Sequence, residues 1–190
     1  MLVVWDSVQA GDGPRYPGKV GRLPHAREHR WGLRAMQQKE KGALLAYICG
    51  WTMEPENYAA LSDRDLMALC VWREARGEQI LGKRGVAHVI INRVNNPQWW
   101  GSSIQSVILK AYQFSSFNPG DPNSTRWPLD DDPSFMDCSW VCNGVLAGTD
   151  EDITNGAEFY HDVSIPEPQA WKDADYQLTL QVGRLIFYKS

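Results

Sequence analysis

The chain reads as a mostly helical α+β domain, and three observations predict it. Apolar residues recur at three- and four-residue spacing between Leu61 and Val94 and again between Ile104 and Val145. After Gly148 the pattern becomes alternation. Phe159 and His161 alternate with Glu158 and Tyr160, and Leu178, Leu180 and Val182 with their neighbours. At 190 residues there is room for one domain with a real core and too little for two.

Residues 1–60 are expected to be an N-terminal arm and residues 61–190 the main domain. The first 28 or so are rich in Gly, Pro and basic side chains without a period, which suits an extended or poorly ordered segment. A helix over 30–50 is possible, with Trp31, Met36, Leu44, Leu45, Tyr47 and Ile48 as its apolar contacts. Glu54-Pro55-Glu56-Asn57 is a turn. Ser62 then caps a helix whose first turn carries Asp63 and Asp65, well placed for the helix dipole. Gly77 ends or bends it.

A second helix runs from about Leu81 to Val94, burying Val86, Val89, Ile90 and Val94, until Asn95-Asn96-Pro97 stops it. Gly85 within it implies close approach to another backbone. Ser102 or Ser103 caps a third helix with Ile104, Val107, Ile108 and Tyr112 on one side. Residues 115–133 form a long polar loop, a length that often signals function. Ser134 opens a fourth helix through Phe135, Cys138, Val141, Cys142 and Val145, and Gly148 ends it. The β-prone run Leu185-Ile186-Phe187-Tyr188 completes a small sheet.

Composition narrows the function. The net charge is −4, with residues 1–60 at +2 and residues 61–190 at −6. An acidic main domain lacks the basic face that phosphate binding needs, so no nucleic-acid partner is expected. Cys49, Cys70, Cys138 and Cys142 form no CxxC pair, and buried reduced thiols are expected. The Cys and His residues do not cluster as zinc ligands, so neither metal nor cofactor is expected. The apolar stretch Ala43–Trp51 is far too short to span a bilayer, so no stable membrane insertion is expected. The N-terminus lacks a basic region followed by an apolar run, so synthesis in a cytoplasm without a signal peptide is expected. No internal repeat is present, and a monomer is expected.

Glu74 is the residue that points to chemistry. Leu66, Leu69, Cys70 and Arg73 follow a helical stripe, and Glu74 falls four residues after Cys70. A carboxyl buried without a partner on such a stripe has its pKa raised, and a raised pKa is what a general acid requires. The alternative is an ion pair with Arg73, Arg76 or Lys83 at a solvated helix end.

The run Glu74-Ala75-Arg76-Gly77-Glu78, then Gly82 and Val86 to Val94, resembles the opening of the SleB/CwlJ-type cell-wall hydrolases, a group of spore-cortex-lytic and phage-lysin-like enzymes. Gln113-Phe114, then Gly156 to His161 with Trp171, then Val182 to Tyr188 resemble later family segments in the same order, over roughly residues 61–189. The resemblance implies a lysozyme-like, lytic transglycosylase fold and peptidoglycan glycan strands as the partner. It implies cleavage of the MurNAc–GlcNAc bond with Glu74 as general acid and base. In that scheme one Glu gives its proton to the glycosidic oxygen and then takes one from the sugar's C6 hydroxyl, so no second carboxylate is needed. Gln113, Phe114, Tyr160 and Trp171 become the candidate substrate-binding residues. Leu185 departs from the family's ending, where His is common, and so suggests packing at that position.

Other residues carry plainer expectations. Glu78 caps or pairs at the next helix, since Gly77 breaks the helical spacing to Glu74. With Phe159 in the core, alternation turns Tyr160 toward a cleft. His161 is expected at a strand end on the surface, and His88 as incidental. Trp99, Trp100 and Trp127 join Trp171 as possible sugar platforms, while Trp31, Trp51, Trp72 and Trp140 suit core or interface. The whole suggests a phage or prophage endolysin that reaches the wall after release by another factor. The alternatives are a muramidase that hydrolyses the same bond with water, a non-catalytic glycan-binding or virion structural protein, and an N-acetylmuramoyl-L-alanine amidase.

Overall fold

The computed structural model describes Tyr58 and residues 60–190 apart from 130. The expected arm, the helix over 30–50, the turn at 54–57, Cys49, Trp31 and Trp51 lie outside the described residues.

Helix α1 (Asp63–Ala75) begins as the sequence predicts, with the Ser62 hydroxyl accepting from the Asp65 amide at 3.2 Å. It does not carry a single apolar stripe. Every residue from Leu66 to Arg73 is buried, because α1 runs through the centre and packs against three other helices. Burying each large apolar side chain contributes about 1.5–3 kcal/mol, so this helix is held by its surroundings rather than by its own propensity.

Helix α2 (Ile80–Asn95) starts without a side-chain cap. A β-carbon at Gly85 would overlap the Phe187 ring, so the close approach is real but is made by a side chain rather than by the expected backbone. Helix α3 (Ile104–Leu109) opens with a capping box in which Ser103 and Ser106 satisfy one another's backbone. It ends before Tyr112, which has φ +64 and is 66% exposed rather than on the helix face. A short 3₁₀ turn, Ser115–Phe117, follows.

Helix α4 (Pro133–Leu146) is capped by Asp132, two residues before the expected Ser134. Asp132 Oδ1 accepts from the amides of Ser134 and Phe135, and Pro133 takes the first helical position, where no N–H is missed. Ser134 instead donates its hydroxyl to the Arg76 carbonyl at 2.8 Å, tying α4 to the end of α1. Asp132 also accepts from the Trp72 indole N–H at 2.9 Å. Gly148, at φ +68, closes this helix.

Three antiparallel strands, β1 (Phe159–Asp162), β2 (Gln177–Val182) and β3 (Leu185–Lys189), lie in the order β1-β3-β2. An irregularity between Leu178 and Leu180 breaks the alternation of β2 and leaves Leu178 exposed. A fifth helix, α5 (Gln169–Asp173), is too short to show a period in sequence. It inserts Trp171 among Phe159, His161, Tyr176 and Tyr188. The sheet meets the helices through Phe187 against Gly85 and through Arg93, whose Nε donates to the Glu158 carbonyl at 2.7 Å. Leu185 is buried, in keeping with packing.

Candidate active site

Glu74 stands one residue before the end of α1 and is half-buried. Its two carboxylate oxygens are held by hydroxyls from two other parts of the fold. The Ser116 hydroxyl, on the 3₁₀ turn, donates to Oε1 at 2.7 Å. The Tyr160 hydroxyl, on β1, donates to Oε2 at 3.0 Å. Helix, loop and sheet therefore converge on one carboxyl. The sequence reading placed an unpartnered acid on an apolar stripe; the structure gives that acid two oriented donors.

Tyr160 is 2% exposed, and its ring lies 5.7 Å from that of Phe187. Burial first, and then the Glu74 carboxylate, push its phenol well above the ordinary range, so it remains a donor at any working pH. Alternation separates it from Phe159 as expected, but both faces of β1 are buried: Phe159 packs on Trp100 and Tyr176 while Tyr160 meets Glu74.

The three cations proposed as partners for Glu74 direct their hydrogen bonds elsewhere. Arg73 donates to loop carbonyls. Arg76 donates to the Arg73 carbonyl and to Asn123 Oδ1. Lys83 pairs with Asp137 at 3.1 Å. Glu78 neither caps α2 nor approaches Glu74 through a helical turn. Its Oε2 accepts from the Arg184 amide at 3.2 Å, across a cavity of about 380 Å³ lined by Gly77, Gly82 and the β2–β3 turn.

The other candidate residues are less exposed than a sugar-binding role suggested. Gln113 is buried, and its Oε1 accepts from Arg93 Nη1 at 3.3 Å. Phe114 is fully buried, with the Arg93 guanidinium 5.3 Å from its ring centre. Trp171 is 2% exposed within its aromatic cluster. None of these three offers an open face to a polymer; Gln113 and Phe114 pack with Arg93, and Trp171 with the aromatic cluster of the sheet. Trp100 is buried too, its indole N–H on the Arg93 carbonyl, and Trp127 stacks on Tyr58, whereas Trp99 is 55% exposed. Trp140, expected in core or interface, is 64% exposed.

His161 is buried rather than at the surface, with Nε2 3.3 Å from the Tyr188 hydroxyl. His88 is likewise structural, 2.9 Å from Asp150.

Two contributors had no individual signal in the sequence. Ser116 looks like Ser115 beside it until the turn aims it at Glu74. Arg93 is completely buried among Trp100, Phe114 and Phe159. Burial lowers its pKa to about 10, and the nearby Tyr160, Cys70, Glu158 and Glu74 oppose that shift. Its Nη2 has no hydrogen-bond partner. Among the described residues no three His, Cys, Asp or Glu side chains converge as a metal site would require. No helix among them is long and apolar enough to cross a membrane.

The domain is thus α+β and mostly helical, and it presents one hydroxyl-clamped Glu at the end of its central helix. Comparison with known families gives the membership: residues 77–188 match the family model described as Cell Wall Hydrolase. The chain belongs to that family, of SleB/CwlJ type, and is a peptidoglycan-degrading enzyme. The matched segment begins just past Glu74 and includes Tyr160 and Ser116. The fold is similar to the catalytic domain of the Bacillus cereus SleB protein, at 24% identity and TM-score 0.51, over 67% of this chain and 89% of that one. It is equally similar to the catalytic domain of the germination-specific lytic transglycosylase SleB from Bacillus anthracis, at 24% identity and TM-score 0.51, over 67% of this chain and 93% of that one. No curated protein matches.

Proposed function

We propose that the enzyme is a glycosidase that cuts the MurNAc–GlcNAc bond of peptidoglycan with Glu74 as its only acid and base, acting as a lytic transglycosylase. Protonated Glu74 donates to the glycosidic oxygen, the C1–O bond breaks, and charge develops on an oxocarbenium-like sugar. The carboxylate left behind accepts the hydrogen bonds of Ser116 and Tyr160, so those two hydroxyls stabilise the charge that forms on Glu74 as its proton leaves. Glu74 then removes the proton of the C6 hydroxyl, and O6 closes on C1 as a 1,6-anhydro ring.

The observation that carries this reading is the clamp on Glu74, together with the engagement of Glu78 at the Gly183–Arg184 turn, away from any second catalytic role. A muramidase would use the same Glu74 but deliver water to C1. Mass spectrometry of digested wall separates the two: anhydro-muramyl ends are expected, and new reducing ends would replace the lyase with a hydrolase. Within this scheme Tyr160 serves through Glu74, while Gln113, Phe114 and Trp171 pack inside the domain rather than against the sugar. An amidase would instead need a zinc ligand set and would lose activity to a chelator; full activity in EDTA is expected.

The endolysin role belongs to the same proposal. A cell expressing the chain should lyse only when a pore-forming protein is co-expressed. Lysis without one would point to a different route to the wall.

A further inference from the structure

Arg73 is a charged side chain placed almost wholly inside the protein, 3% exposed, with no carboxylate hydrogen-bonded to it among the described residues. Burying an unpaired cation is costly unless its donors are satisfied. Here they are satisfied by one segment. Nε and Nη2 both donate to the Arg126 carbonyl at 3.1 Å, Nη2 also to the Ser124 carbonyl at 3.0 Å, and Nη1 to the Ser116 carbonyl at 3.1 Å. The Tyr58 hydroxyl lies 3.4 Å from Nη1. The guanidinium carbon sits 4.7 Å from the Phe117 ring centre, 5.2 Å from that of Trp127 and 5.3 Å from that of Tyr58. A planar fork with five N–H groups is the only side chain that can hold three carbonyls and stack on rings at once.

The segment so held, residues 116–127, is most of the long polar loop, and it begins at Ser116, whose hydroxyl orients Glu74. Arg73 and Glu74 are neighbours on α1, so both sides of that contact are referenced to the same helix turn.

We propose that Arg73 is a positioning residue for Glu74: it fixes the backbone of the loop so that the Ser116 hydroxyl meets Oε1. This rests on Glu74 being the acid and base. Arg73 touches no substrate and acts only through Ser116. Its replacement should therefore resemble loss of the Ser116 hydroxyl rather than loss of the fold. Misplacing a catalytic contact by about 1 Å can lower the rate on the order of a hundredfold.

The test uses the full chain and soluble, uncrosslinked glycan strands. Arg73→Lys keeps the charge and loses the fork. It is expected to lower kcat roughly ten- to hundredfold with little change in KM. Ser116→Ala should lower kcat similarly and displace the pH–rate profile in the same direction. The double variant should be no worse than the weaker single one, since both changes remove one device. Wild-type kcat and pH profile in Arg73→Lys, or effects that multiply in the double variant, would overturn the proposal.

Should Arg73→Lys fail to fold, Trp127→Leu decides, because it removes one wall of the stack from the half-buried loop. A Trp127→Leu enzyme with unchanged kcat and pH profile also overturns the proposal. Glu74→Gln run alongside keeps the two claims apart. An active Glu74→Gln enzyme sinks the assignment of the acid, whereas an inactive one beside a normal Arg73→Lys sinks only the role of Arg73.

Discussion

Replacing Tyr160 by Phe isolates a single hydrogen bond. The phenol donates to Glu74 Oε2 at 3.0 Å from a residue that is only 2% exposed. Phe keeps the ring, its packing on Phe187 and its burial. Only the donor is lost. A hydrogen bond to a charged group contributes about 1.5–3 kcal/mol. At about 1.4 kcal/mol per tenfold in rate, the carboxylate formed on proton transfer should be harder to reach by a factor of about ten to a hundred and fifty. The loss should fall on kcat, with KM nearly constant, because the hydroxyl acts on Glu74 and not on the sugar. Initial rates on soluble glycan strands measure both constants, and near-ultraviolet circular dichroism confirms the fold. A variant within twofold of wild type in kcat, or one that raises KM at constant kcat, would refute this reasoning.

Other expectations follow from the same structure. Gly85→Ala places a methyl group into the Phe187 ring and should cost about 1–3 kcal/mol of stability, read as a fall in Tm at roughly 2–4 °C per kcal/mol; an unchanged Tm would mean the helix–sheet contact is loose. The hydrogen bond from Arg184, with help from Ser164, holds the Asp162 carboxyl down at about 2, whereas a free Asp titrates near about 3.9. Its folded pKa is depressed, so its stabilising effect is complete above the unfolded value and fades as pH falls toward 2. Urea midpoints between pH 5 and 2 should drop less steeply in Asp162→Asn, and parallel slopes would contradict the assignment. Burial pushes the Cys138 thiol up to about 12 and raises Cys70 and Cys142 as well. Thiol reagents at pH 8 should label these three only after denaturation, as peptide mapping would show; native labelling of Cys138 would place it at the surface.

The helices were legible where local chemistry sets them. Ser62 with Asp63 and Asp65 marked the start of α1, the Ser102-Ser103 pair the start of α3, where Ser103 is the cap, and Gly148 the end of α4. Gly85 announced a close approach, though only the fold could name Phe187 as the neighbour. Asp132 was overlooked as a cap because Pro133 and Ser134 compete for the same signal, and α5 because five residues show no period. Glu74 was legible as a candidate because an acid on an apolar helix also opens the Glu74–Glu78 run that resembles the family. Its partners were not, since Ser116 and Tyr160 lie 42 and 86 residues away and reach it only through tertiary packing. Full burial of Phe114 and Trp171 was invisible for a related reason. An aromatic residue beside a site looks the same in sequence whether it stacks on a sugar or on Arg93. The inward turn of Arg73 and Arg93 ran against the usual exposure of arginine, and only their carbonyl and ring partners explain it.

The most direct measurement is the clearing of purified cell-wall suspensions by wild type and by Glu74→Gln, with the fold of each checked by circular dichroism. Wild type should lower the turbidity and leave anhydro-muramyl ends, and the folded Gln variant should leave the suspension unchanged, since an amide cannot cycle a proton. Clearing by Glu74→Gln at the wild-type rate would contradict the account and move the chemistry to another residue.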